Sequence, residues 1–143
     1  MLKNNKIIKN IFISYVEAIN NSDLEAAMAL ISDDVQLINS KYRPEVPAEG
    51  IELIRVYISE TVINENGKLT IIDLKEYGDV VEAQMEFRND RIKRLGLERI
   101  VGTERFKIKD NKIINFEFNM NLQDPETKVF FDFVRKLEAN RPQ

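Results

Sequence analysis

The chain has 143 residues, 43% apolar and 31% charged, which fits one folded domain with a hydrophobic core and excludes a disordered or membrane-like chain. It contains no histidine and no cysteine, which removes disulfides, thiolate zinc sites, cysteine nucleophiles and every histidine general base. The formal net charge of −3 comes from interspersed acids and bases, which argues against nucleic acid as a partner.

The opening Met1-Leu-Lys-Asn-Asn-Lys is too polar for a signal peptide. No apolar run approaches the roughly 20 residues of a spanning helix, so a cytoplasmic protein without a membrane partner is expected. The first helix is predicted from Lys3 to Ile19, with Ile8, Ile11, Phe12, Tyr15 and Ile19 on one face. Ser22-Asp-Leu-Glu25 reads as a capping box for a second helix, whose buried stripe is Leu24, Ala27, Met28 and Ile31. A short strand follows from Val35 to Asn39, and Ser40 to Glu49, with Pro44 and Pro47, reads as a loop. After Gly50 comes a third helix, with Ile51, Ile54, Ile58 and Val62 along one side, closed by a turn at Asn64-Glu-Asn-Gly67. Strands are predicted over Lys68 to Glu76, Val80 to Arg88, Leu97 to Lys109 and Lys112 to Met120. Tyr77-Gly-Asp79, a basic loop containing Arg88, Arg91, Lys93 and Arg94, and the tight pair Asp110-Asn111 join them. Asp124-Pro125-Glu126 starts a last helix with Phe130, Phe133, Val134 and Leu137 as its stripe, which must pack on the open end of the sheet or on a partner subunit. Helices first and strands second predict an α+β fold. It would be a single domain spanning 1–143, with a core over about 6–120 and an extra C-terminal helix over about 125–140.

Alternation along the strands sorts their side chains. Val81, Ala83, Met85 and Phe87 share a face, as do Ile100, Gly102, Glu104, Phe106 and Ile108, and likewise Ile114, Phe116, Phe118 and Met120. The opposite face is polar, and there Glu82 and Glu86 are expected near Arg99 and Arg105. Glu104 is the exception on the apolar side, where burial raises a carboxylate's pKa. Gly102 suggests a bulge or sharp bend. Tyr15, on the buried helix stripe, needs a hydrogen-bond partner. Parity with Val35 and Leu37 puts Asn39 on the apolar face as well.

The segments Tyr15-Val-Glu-Ala-Ile-Asn-Asn-Ser-Asp-Leu-Glu, Ala-Leu-Ile-Ser-Asp-Asp-Val, Gly50-Ile-Glu-Leu-Ile-Arg and Glu104-Arg-Phe-Lys-Ile-Lys-Asp-Asn-Lys-Ile-Ile resemble the nuclear transport factor 2-like superfamily, in its SnoaL-like and ketosteroid-isomerase-like branch. The resemblance spans about Lys6 to Met120 and implies a cone-shaped curved antiparallel sheet wrapped around the N-terminal helices (a cystatin-like α+β barrel), with a pocket between helices and sheet and often a homodimer. Ketosteroid isomerases use an Asp base, with a Tyr and a protonated Asp hydrogen-bonding the oxyanion. By motif, Tyr15 falls at the position of that Tyr, Glu104 at that of the protonated acid, and Asn39 at that of the base. An amide cannot accept the proton a carboxylate would, so isomerisation by the family mechanism is not expected. The Asp-Arg-Asp set of the superfamily's epoxide hydrolases has no counterpart in the sequence.

The leading expectation is a small-molecule-binding protein with a mostly apolar pocket, taking a small apolar molecule with an oxygen acceptor. Tyr15, Asn39, Glu104, Met85, Phe116 and Phe118 are the candidate ligand-binding residues, and Glu104 with Tyr15 the candidate catalytic ones. No cofactor and no metal are expected. One alternative is an isomerase or cyclase-like lyase with Glu104 as the acid–base group. Another is a protein-interaction or dimerisation domain without catalysis. Tyr42, Arg43, Tyr57 and Tyr77 are better read as loop or surface packing than as a pocket mouth.

Overall fold

A computed structural model describes residues 7–39 and 46–140. The predicted start of the first helix at Lys3, and Tyr42 and Arg43, lie outside the described residues. Helix α1, Ile8–Asn20, buries Ile11, Phe12, Tyr15 and Ile19 as its spacing predicts. Helix α2, Leu24–Ala29, is capped by Asp23, whose side chain accepts from the Ala26 amide at 3.0 Å. Ser22 is not the cap: its φ of +54° is far from the extended backbone a cap needs. Strand β1, Ile31–Ile38, takes over Ile31 from the predicted helix.

Helix α3, Gly50–Tyr57, widens into a π-helical stretch at Ile58–Ile63. Strands β2, Lys68–Tyr77, and β3, Val80–Arg88, form a hairpin turned at Gly78 with φ +59°. The basic segment is a short helix, α4, Asp90–Arg94, rather than a plain loop, because the Asn89 side chain accepts from the Ile92 amide and caps it. Strands β4, Ile100–Lys109, and β5, Lys112–Met120, turn at Asp110 and Asn111, both at positive φ. Helix α5, Pro125–Ala139, begins at the predicted Asp124 cap, which accepts from the Thr127 amide.

The sheet runs β1-β5-β4-β3-β2 and is antiparallel except where β1 lies parallel to β5. Its concave face holds α1, and the centre of the core is aromatic. Phe12 and Tyr15 each meet the Phe106 ring edge-on at 5.3 Å, and Phe106 stacks on Phe116 at 4.6 Å. Such pairs add about 0.5–1.5 kcal/mol each beyond the area they bury. The pairing of β4 with β5 shifts register between Lys107 and Ile108, so Ile113 rather than Ile114 is the buried residue there. One extra residue on one strand reverses parity beyond it. No bulge sits at Gly102, where β3 and β4 pair without interruption. A Cβ on Gly102 would lie 2.5 Å from the Asn119 carbonyl oxygen and 2.7 Å from the Phe118 ring, so the glycine makes room for that ring.

On the polar face Arg105 meets Glu82 at 3.8 Å, as cross-strand register requires. Arg99 turns instead to the start of α5, reaching Asp124 and Glu126 at 3.0 Å each, while Glu86 pairs with Arg88.

Candidate functional site

A cavity of about 510 Å³ lies between the sheet's concave face, α3 and α5. Strand β4 supplies Glu104, opposite Ala83 on β3 and Phe118 on β5. A methyl side chain at Ala83 leaves the carboxyl group space, and Glu104 is only 6% exposed. Its Oε2 is enclosed and accepts no hydrogen bond among the described residues. Burial pushes the Glu104 carboxyl up to about 8 by penalising its charged form.

Tyr15 reaches the cavity from α1 and Tyr57 from the end of α3. Burial raises the Tyr15 hydroxyl well above its ordinary range, and a negative charge on Glu104 or Tyr57 raises it further. Tyr57 is pushed up to about 12, first by burial and then by Glu104. At neutral pH all three groups are therefore protonated, a set of hydroxyl and carboxyl donors on one cavity wall. Among the described residues no hydrogen bond joins Tyr15 to Glu104. The backbone under Tyr57 is fixed by the π-helical stretch: the Thr61 hydroxyl donates to the Tyr57 carbonyl at 2.6 Å, and the Asn89 side chain donates to the Thr61 carbonyl at 3.0 Å.

Phe116 and Phe118 line the cavity as expected. Met85 does not: it is 1% exposed, packed in the core away from the cavity. Asn39 lies past the end of β1 with φ +59°, exposed at the cavity rim rather than on the apolar face. The left-handed turn ends the alternation that linked it to Leu37. Its amide donates to Glu117 at 3.3 Å and to Asn119 at 3.4 Å. Tyr77 is 51% exposed on the hairpin and outside the cavity.

Two contributors depart from the sequence reading: Tyr57, read there as loop or surface packing, lines the cavity, and so does α5. Tyr57 lies three residues after Ile54, on the flank of the predicted α3 stripe, so its spacing carried the signal. Helix α5 supplies Phe130, Phe131, Val134 and Leu137 to the wall. Its apolar stripe was visible, but nothing local says which surface a stripe covers. The helix is fastened at its start, where Thr127, fully buried, accepts from the Val101 amide at 2.8 Å and Glu126 accepts from the Glu98 amide at 2.7 Å.

Residues 12–116 match the SnoaL-like domain. The chain belongs to the SnoaL-like family. The end of β5 after Phe116 and the whole of α5 lie beyond the family match. Solved structures of the same fold include a nuclear transport factor 2-like protein of unknown function from Cytophaga hutchinsonii (13% identity, TM-score 0.61, covering 85% of this chain and 96% of that one). A Δ5-3-ketosteroid isomerase from Mycobacterium sp. is similar too (11% identity, TM-score 0.64, 81% and 94% covered). So is a LEH-like epoxide hydrolase from Mycobacterium tuberculosis (12% identity, TM-score 0.65, 93% and 96% covered). At these identities the likeness is one of fold. No curated protein matches the sequence. Among the described residues no helix is long and apolar enough to cross a membrane.

Proposed function

We propose that this SnoaL-like protein binds a small, mostly apolar molecule through an oxygen acceptor, with protonated Glu104 and the Tyr15 hydroxyl as donors and Tyr57 beside them. A few convergent polar groups in an otherwise apolar cleft is the usual form of a small-molecule site. The observation that carries the reading is the buried Glu104 carboxyl in the lining of a cavity of about 510 Å³ that Tyr15 also lines, with no hydrogen bond to its Oε2 among the described residues. A buried polar atom left unsatisfied costs about 1–3 kcal/mol, and an arriving acceptor that takes the carboxyl proton offsets the desolvation of that group.

Nile red, a neutral apolar dye with a carbonyl oxygen, supplies the test by fluorescence titration. Wild type is expected to bind at pH 6.5 and to lose about tenfold in affinity by pH 9.5, as Glu104 ionises and its donor disappears. Glu104→Gln keeps an N–H donor and is expected to bind equally at both pH values; Tyr15→Phe weakens binding at both. Affinity that is independent of pH in wild type and untouched by both substitutions overturns the proposal.

A second reading is acid–base catalysis by Glu104, as in an isomerase or cyclase-like lyase. Its support is the Glu104 pKa of about 8, which keeps acid and base forms both accessible near neutral pH. A turnover whose pH profile follows one group near 8 and vanishes in Glu104→Gln supports catalysis; turnover unchanged in that variant rules it out.

A further inference from the structure

The arginines of this protein divide into two groups. Arg55, Arg88, Arg94, Arg99 and Arg105 each meet a carboxylate within 3.8 Å. The other two described arginines, Arg91 on α4 and Arg135 on α5, line the cavity and have no carboxylate partner among the described residues. Each guanidinium instead lies over a phenylalanine of α5, Arg91 at 5.4 Å from the Phe133 ring centre and Arg135 at 5.7 Å from that of Phe131. Stacking holds a guanidinium by its face and leaves the N–H edge free. Glu138 is the carboxylate on the same wall besides Glu104, so with Glu104 protonated the cavity lining carries two cations against one anion. Arginines that are paired elsewhere among the described residues and unpaired at a cavity mark a place where the counter-charge arrives with a ligand.

We infer that the ligand is an amphipathic anion: an apolar body carrying a carboxylate that meets one of the two guanidiniums unpaired among the described residues, that of Arg91 or that of Arg135, with its oxygen acceptor held at Tyr15 and Glu104. A planar guanidinium edge suits a carboxylate, since two parallel N–H donors match its two oxygens. The inference rests on the proposed binding site and adds the chemical class of its ligand.

The experiment compares cis-parinaric acid, a fluorescent polyene fatty acid ionised at neutral pH, with its methyl ester, which has the same body and no charge. Wild type at low salt is expected to bind the acid at least about tenfold more tightly than the ester, with the preference shrinking as salt is raised. Arg91→Gln with Arg135→Gln removes the preference, lowering affinity for the acid far more than for the ester; the single variants show which position carries the effect. Arg105→Gln, on the polar face of the sheet, leaves it intact. Equal affinity for acid and ester in wild type, or a preference that survives the double substitution, overturns the inference. A protein that takes up Nile red but neither parinaric form also overturns it while leaving the binding proposal standing. Failure with all three probes brings down both.

Discussion

Replacing Glu104 by Gln should change how stability depends on pH, by an amount the structure sets. In the folded protein the carboxyl titrates at about 8, against 4.5 for an unperturbed glutamate. Below the unfolded value both states are protonated and burial costs nothing extra. Between the two values the folded state keeps a proton the unfolded state has released, so wild-type stability falls by about 1.4 kcal/mol per pH unit. Above the folded value the loss is complete, at about 5 kcal/mol. Glutamine has nearly the same shape and does not titrate. The variant should therefore match wild type within about 1 kcal/mol at pH 4.5, exceed it progressively through neutral pH, and level off above pH 8. Against a typical total stability of about 5–15 kcal/mol, the effect is large. Urea unfolding of both proteins from pH 4.5 to 9.5 measures it, and taking the difference cancels every other titrating group. A difference that stays flat with pH would show that Glu104 ionises normally in the fold, and the argument for a protonated donor would collapse with it.

Four further substitutions have expected outcomes. Gly102→Ala places a Cβ 2.5 Å from a backbone oxygen and 2.7 Å from the Phe118 ring; it should cost at least about 1–3 kcal/mol in urea unfolding, and an unchanged midpoint would contradict the packing described. Asp124→Ala removes the α5 cap and the partner of Arg99, whose guanidinium holds the Asp124 carboxyl down at about 2. The loss should be about 1–2 kcal/mol at pH 7; because a depressed pKa stabilises only above the unfolded value, the gap from wild type should close as pH falls from about 4 towards 2. Tyr15→Phe should leave stability within about 0.5 kcal/mol, since the hydroxyl makes no hydrogen bond among the described residues, whereas Phe106→Ala at the aromatic centre should cost about 3–5 kcal/mol; calorimetry that ranks them the other way would show the hydroxyl to be structural.

Most of the fold was legible because its signals are periodic. Apolar spacing placed α1, α3 and α5, alternation placed β2 to β5, and the Asp-Pro start of α5 and the Asp-Asn turn fell where their backbone chemistry requires. The departures are local. Ser22 and Asp23 are both good cap residues, and the choice between them depends on the turn that leaves α1, where Ser22 takes a left-handed backbone. The basic segment after β3 is too short for helical periodicity to show, and its helix depends on the Asn89 cap. The bulge at the β4–β5 turn exchanged Ile114 for Ile113 because parity counts residues and a bulge changes the count.

The candidate site was legible to the extent that it depends on one strand. Glu104 could be found because three apolar side chains on its own strand, Ile100, Phe106 and Ile108, fix its direction, whatever the rest of the chain does. Asn39 could not, because it stands one residue beyond the strand whose alternation it was assigned to. Arg91, Arg135 and Tyr57 became site residues only through the meeting of α3, α4 and α5 over the sheet. An arginine in a basic segment looks solvated in any sequence. What distinguishes Arg91 from Arg94, three residues away on the same short helix, is that Arg94 reaches Glu65 at 3.0 Å while Arg91 turns to the Phe133 ring at the cavity. Because α5 lies beyond the family match, the aromatic rings that hold both of these guanidiniums stand outside the matched SnoaL-like domain. Ligand preference conferred by Arg91 and Arg135 should therefore depend on that helix, while donation from Tyr15 and Glu104 depends on the family core.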